Sequence, residues 1–338
     1  MKGQYIIVGE NIHCTRVRLT SGKFVKALPD GRSALVFQAN GKPQHLPIPE
    51  SIVSGQEWKN GKVRHVAVAV WQGLHGKPED RAAGIAYLTA MAQEQAANGA
   101  HFLDLNVDEF SMDQEEKLRA VTWAAGILQQ ATTLPLSIDS SNAEILKAGT
   151  AACDRSRGKP LINSVSLERA TSIPVAAAAG AKVIAGATGA ASMPENVAER
   201  VANIAQLMDR LQAHGFARED IYLDPLTFPI SVNSNNGVAV LDSIRELRKV
   251  YGPSIHFAPG LSNVSFGLPK RSLINQVFAY LCLQQGCDGG IVDPLQINDR
   301  IFQGLDTQSE SFRLAKELLL GQDEYGMNYI AAAREGTV

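Results

Sequence analysis

Cysteine is scarce: the 338 residues contain four, Cys14, Cys153, Cys282 and Cys287. That is too few for a disulfide framework and fits thiols kept reduced inside a cell. A surplus of one charge is missing as well. Lys and Arg number 32 against 34 Asp and Glu, a formal net charge of −2. No global field therefore draws the chain to nucleic acid or to an anionic membrane. Long apolar runs are absent. The best candidate, 173–191, is rich in Ala and Gly and is interrupted by Gly180 and Lys182, too weak for a membrane span. The opening MKGQYIIVGENIH has a short apolar run and no small-residue cleavage site, so it reads as a first strand rather than a signal peptide. The expected compartment is the cytoplasm.

Several chemical motifs are also missing. No G-x-G-x-x-G follows a strand and no G-x-x-x-x-G-K-[ST] occurs, which removes the usual support for dinucleotide and P-loop readings. The histidines, at 13, 45, 65, 75, 101, 214 and 256, show neither H-x-x-x-H nor H-x-H spacing. Cys282 and Cys287 flank a helix end at poor ligand spacing, and the neighbours His13 and Cys14 do not make a site by themselves, so no metal is expected. A nucleophilic serine would need a G-x-S-x-G elbow, which is not found.

What remains is an ordinary globular composition, 45% hydrophobic and 20% charged. The length suits two domains, or one α/β barrel of roughly 250 residues with additions. Beyond residue 76, short β-branched runs alternate with Ala/Leu-rich segments of helical spacing. The pattern predicts strands at 6–9, 102–105, 136–139, 160–163, 182–186, 221–223, 255–258 and 290–292. Helices are predicted at 79–98, 112–130, 142–148, 167–179, 194–213, 238–250, 271–285 and 309–320. Eight strand–helix pairs are the signature of a (β/α)8 TIM barrel, with a doubly wound sheet as the alternative. Ser141-x-x-Glu144 and Ser192-x-x-Glu195 have capping-box spacing. Gly99, Gly180, Gly215 and Gly286 stand where helix C-terminal glycines belong.

Residues 14–75 interrupt the rhythm between the first strand and the first helix. A hairpin is expected at 24–37 around Pro29-Asp30-Gly31, and a second at 57–70 around Asn60-Gly61, with alternation through Val66, Val68 and Val70. The segment reads as a small β-rich insertion on the first βα loop. It either caps the site, or holds a partner, or merely stabilises the fold.

In a (β/α)8 barrel the chemistry lies at the C-terminal ends of the strands. Those ends read Gly9-Glu10-Asn11, Asp104-Leu105-Asn106, Asp139-Ser140, Asn163-Ser164, Asp224-Pro225 and Ser262-Asn263. Any one of these is explained as a helix cap. Six together describe a pocket of carboxylates and amides without Lys or Arg. A phosphate site would want cations or a Gly-rich helix start at strands seven and eight. Carboxylates and amides instead match a neutral heterocycle with N–H donors and ring acceptors, such as the 2-amino-4-oxo edge of a pterin.

These segments resemble the pterin-binding methyltransferases, in particular methyltetrahydrofolate:corrinoid/iron–sulfur protein methyltransferases and the folate domain of cobalamin-dependent methionine synthase. The resemblance rests on Val8-Gly9-Glu10-Asn11-Ile12, Leu103-Asp104-Leu105-Asn106-Val107, Ile138-Asp139-Ser140, Ile162-Asn163-Ser164, Tyr222-Leu223-Asp224-Pro225-Leu226 and Gly260-Leu261-Ser262-Asn263-Val264-Ser265, with Leu273-Ile274-Asn275 beyond them. It spans residues 1–13 and 76 to about 305. It implies one pterin-binding TIM-barrel domain over 1–338, with 14–75 inserted in it. It implies that Asp139, Asn163 and Asp224 hold the pterin, with Asp104, Asn106, Glu10 and Ser262 in or beside that network. Asn263 would contact the ring near N5. The implied reaction moves a methyl group between N5 of tetrahydrofolate and the cobalt of a corrinoid. No Asp-x-His-x-x-Gly carrier motif is present, so the corrinoid is expected on a separate protein. A homodimer is implied by the resemblance alone. Dihydropteroate synthases share the fold but carry basic residues on strands seven and eight and an Asn-x-Thr-x-Asp-Ser-Phe segment that is absent here. Asn11 departs from the methyltransferase pattern, which commonly has a basic residue there. A synthase-like enzyme or a non-catalytic pterin-binding barrel is the alternative.

Overall fold

The computed structural model describes residues 5–39 and 41–338. Residues 1–4, where the reading of the N-terminus begins, lie outside the described residues. Eight strands form the sheet expected of a (β/α)8 fold: β1 (Ile6–His13), β2 (Phe102–Asn106), β3 (Leu136–Asp139), β4 (Leu161–Val165), β5 (Lys182–Gly186), β6 (Ile221–Asp224), β7 (His256–Phe257) and β8 (Gly289–Val292). Their order is β7-β6-β5-β4-β3-β2-β1-β8. The pairings β1–β8, β2–β3, β5–β6 and β6–β7 are parallel. Beyond the short β7, Gly260 bridges Ile291 of β8 in parallel, and the Ile291 N–H donates to Pro259 O at 2.9 Å. The β7 side of the sheet thus meets the β8 side. All five residues of β2 are buried, as a parallel strand covered on both faces requires.

Each strand is followed by a helix: α1 (Pro78–Ala97), α2 (Gln114–Ala131), α3 (Ala143–Ala151), α4 (Ser172–Ala178), α5 (Val197–Ala213), α6 (Asn236–Tyr251), α7 (Arg271–Gln284) and α8 (Glu310–Leu319). The N-terminal caps differ from those expected. Asn142, not Ser141, accepts from the N–H groups of Glu144 and Ile145, and Asn196, not Ser192, accepts from Glu199 N–H. An asparagine one or a few residues on satisfies the same orphan donors. Gly99 and Gly286 adopt φ of 90° and 94° before the next strand, a conformation that favours glycine. No helix among the described residues is long and apolar enough to cross a membrane.

The chain divides into two compact units. One holds the residues up to Gly9, Asn98–His101 and Ile162 onward; the other holds Glu10–Ala97 and Phe102–Leu161. The second contains the insertion. Its first hairpin is present, with Val25–Ala27 pairing antiparallel with Ser33–Ala39. A further strand, Lys42–Pro47, extends that sheet.

The second hairpin is not formed. Lys62–Arg64 pairs instead with Val17–Leu19, and His65–His75 is an α-helix. Val66, Val68 and Val70 imitate strand alternation, but residues 65–70, Gln72 and Gly73 are all buried. A helix buried all round shows no amphipathic period, so the pattern misleads. This helix lies close against α1. A methyl group at Gly84 would stand 2.6 Å from the carbonyl oxygen of Ala69, and one at Gly73 would meet the Trp123 ring at 2.0 Å. The insertion therefore ends in a core helix.

Candidate functional site

In the second unit, three strand ends converge. β1 runs to His13, four residues past the expected end at Gly9. His13 Nε2 lies 2.8 Å from Asp104 Oδ2 and 3.9 Å from Asp139 Oδ2. Asn106 Nδ2 donates to Asp139 Oδ2 at 3.0 Å, while Asn106 Oδ1 accepts from Asp108 N–H at 3.0 Å. The strands are tied here too, since Cys14 N–H donates to Asn106 O at 2.8 Å.

The Asp104 side chain is fully buried, whereas those of His13 and Asp139 are 13% and 24% exposed. Burial pushes the Asp139 carboxyl up to about 7, with the Asp104 charge adding to the rise; His13 and Asn106 oppose it. Burial would lower His13, but the hydrogen bond to Asp104 and the charges of Asp104 and Asp139 outweigh it and hold the imidazole above its ordinary value.

The donor atoms of His13, Asp104 and Asp139 all lie within 4.8 Å of one another, a spacing that a cation could also span. At 2.8 Å the His13–Asp104 contact is within hydrogen-bond distance.

Glu10, expected in or beside the pterin network, lies on β1 and is paired with Arg16. Its Oε1 meets Arg16 Nη2 at 2.8 Å, and Arg16 Nε donates to its backbone oxygen at 3.1 Å. Arg16, from the start of the insertion, was not anticipated.

In the first unit, Asn163 lies on β4 and is 9% exposed. Asp224 ends β6, and its Oδ1 accepts from Leu226 N–H at 2.8 Å. Leu226 pays for that turn with φ of 66°, rare for a branched side chain. Burial raises the Asp224 carboxyl to about 6, against the backbone N–H groups of Leu226 and Gly260 and the charge of Arg200. Arg200, on α5, is 1% exposed; its Nε and Nη1 have no hydrogen-bond partner among the described residues, and its guanidinium lies 5.3 Å from the Phe228 ring centroid. The strand-end motifs contain no cation, yet the fold supplies Arg200 from the helix that precedes β6. Only its place on a helical face that is otherwise apolar could have signalled it.

Ser262 and Asn263 lie on a short 3-10 turn, Leu261–Ser265, after β7. Arg271 braces this turn, its Nη2 donating to Ser262 O at 2.7 Å and its Nε to Ser265 Oγ at 3.0 Å. Asn263 is exposed.

Comparison with known proteins places this arrangement in context. A family model described as "Pterin binding enzyme" matches residues 81–293. A methylcorrinoid:tetrahydrofolate methyltransferase of Eubacterium limosum is 31% identical over 259 residues, covering 75% of this chain and 89% of that protein. Methionine synthase of Mycobacterium tuberculosis is 32% identical over 227 residues, covering 61% of this chain but 18% of its own length. Among solved structures, dihydropteroate synthase of Stenotrophomonas maltophilia aligns with a TM-score of 0.51 at 19% identity, over 71% of this chain and 89% of that one. That of Xanthomonas albilineans aligns with a TM-score of 0.50 at 20% identity, over 74% and 85%. At such identities the structural likeness concerns the fold alone.

Proposed function

The chain belongs to the pterin-binding enzymes, and on that premise we propose that it moves a methyl group between N5 of tetrahydrofolate and the cobalt of a corrinoid carried by a separate protein. The observation that carries this reading is the likeness to the Eubacterium limosum methyltransferase over 89% of that protein's length. In this reading Asp139, Asn163 and Asp224 orient the pterin. Ionised carboxylates accept from ring N–H groups, and the amide both donates and accepts. Their contribution is proximity and orientation. Asp104 and Asn106 hold Asp139 in place, directly and through His13. Glu10, paired with Arg16, is proposed to anchor the insertion beside the site, and Ser262 to fix the turn that carries Asn263.

A tertiary amine leaves poorly, so N5 must gain positive character before its bond to the methyl carbon breaks by in-line displacement. The exposed Asn263 amide is suited to hydrogen-bond N5 as its charge changes, a positioned dipole acting on the transition state. The protein's partner is then the corrinoid protein, docking over the strand ends.

The solved synthases favour a second reading through their fold, but a diphosphate pocket needs free cations. Of the neighbouring pair Lys270 and Arg271, Arg271 is engaged with Ser262 and Ser265, and Lys270 is exposed beside it.

The test is a spectrophotometric assay in both directions, with methyltetrahydrofolate and reduced cobalamin or with methylcobalamin and tetrahydrofolate. Protein-dependent methylation or demethylation of cobalt supports the proposal. Condensation of a pterin diphosphate with 4-aminobenzoate, without methyl transfer, would replace it with the synthase reading.

A further inference from the structure

We propose that His13, which faces Asp139 Oδ2 at 3.9 Å, is a positioning residue that makes the site selective for reduced pterins by favouring Asp139 as a hydrogen-bond acceptor. The inference deepens the pterin reading and rests on it.

The geometry is local to three strand ends. His13 Nε2 contacts Asp104 Oδ2 at 2.8 Å and stands 3.9 Å from Asp139 Oδ2. The imidazole is therefore hydrogen-bonded to the buried carboxylate and faces the more open one, which alone of the two is 24% exposed. Arg16, Asn106 and Asp108 also bear on this cluster. Arg16 is engaged by Glu10 at 2.8 Å, and Asn106 Nδ2 donates to Asp139 at 3.0 Å. Asp108 accepts from Ser141 N–H and Ser141 Oγ. Of the charged groups that bear on Asp139, His13 favours its ionised form, whereas Asp104 and Asp108 oppose it. Removing His13 takes away that favourable charge and leaves Asp139 protonated to higher pH.

The consequence concerns the ligand. An ionised carboxylate is an acceptor only; a protonated one also donates. A tetrahydropterin ring presents N–H groups where the fully oxidised ring presents bare nitrogens. An acceptor-only Asp139 therefore rewards the reduced ring, and a protonated Asp139 serves the oxidised ring as well. A buried group whose partner cannot match it loses most, because the unpaired atom is left dry.

The experiment measures equilibrium binding of tetrahydrofolate and of folate, without oxygen, from pH 5.5 to 8.5, for the wild type, His13→Gln and His13→Asn. In the wild type, tetrahydrofolate should bind more tightly as pH rises through neutrality and should be preferred over folate. In His13→Gln that rise should move up by at least about one pH unit, and the preference at pH 7 should shrink about tenfold. Affinity should return near the wild-type value at pH 8.5. A uniform loss at every pH with an unchanged preference would overturn the inference and leave His13 a packing residue. A pH dependence that disappears on adding a chelator would make the cluster a cation site and overturn it too. Wild-type protein that binds neither pterin would contradict the pterin reading itself. Binding with a ratio independent of pH would contradict only the role of His13.

Discussion

The Nδ2 of Asn106 donates to Oδ2 of Asp139 at 3.0 Å, joining the last residue of β2 to the last residue of β3. The two residues are register partners in the parallel pair, so the sheet itself sets the distance. A hydrogen bond to an ionised acceptor is worth about 1.5–3 kcal/mol. Asn106→Leu should therefore weaken tetrahydrofolate binding by about tenfold or more while the fold survives. Isothermal titration calorimetry beside a thermal melt separates the two effects. Unchanged affinity would show that Asp139 does not need this donor.

Two buried carboxyls tie stability to pH. In the folded chain Asp139 and Asp224 are raised to about 7 and about 6, above the ordinary carboxylate value of 3.8. The folded state then binds more protons than the unfolded chain as pH climbs from about 4 to 7, so these groups lower stability across that window. His13, also raised, acts in the same direction: its contribution is present below 6.5 and is lost as pH passes its folded value. The ligand-free protein should melt higher at pH 5.5 than at pH 8. Asp139→Asn and Asp224→Asn should each raise the melting temperature at pH 8 by roughly 2–4 °C, the shift of about 1 kcal/mol, while losing tetrahydrofolate binding. Lower melting temperatures in both variants would contradict this account of the site's charge.

Asn263→Ala separates binding from chemistry. If the amide acts on N5 as charge develops, kcat for methyl transfer should fall by about 10–100-fold with the folate Kd changed less than about threefold. Equal losses in both would mean that Asn263 only binds.

Gly84 tests the insertion. In an open helix interior, Gly→Ala stabilises by about 1 kcal/mol. Here the new methyl group would stand 2.6 Å from Ala69 O and 3.1 Å from Gly73 N. Gly84→Ala should instead destabilise by about 1–3 kcal/mol through overpacking, measured as a lower urea midpoint at constant m. A rise in midpoint would show that the 65–75 helix is free to move away.

The barrel was legible because several strands are short apolar runs with a polar residue at or near their end. Ile138-Asp139, Ile162-Asn163 and Leu223-Asp224 mark strand ends by composition alone, and strand-end Asp and Asn are where this fold does chemistry. The 65–75 helix was not legible, since its first turns, residues 65–70, are buried all round and carry no period, and its three alternating valines read as a strand. Side chains that support the site from elsewhere were also hidden. His13 needed the extra length of β1 to reach Asp104. Arg200 lies 24 residues before Asp224 on a helix, and nothing local in the chain connects them. Pairings of that kind are created by topology.

The most direct test of the central claim is a crystal structure of the protein with methyltetrahydrofolate. The account predicts the pterin at the C-terminal strand ends, its N–H edges on the carboxylates of Asp139 and Asp224, its ring against Asn163, and N5 within reach of the Asn263 amide. A pterin bound elsewhere, or one that leaves Asp139 and Asp224 without contact, would contradict it.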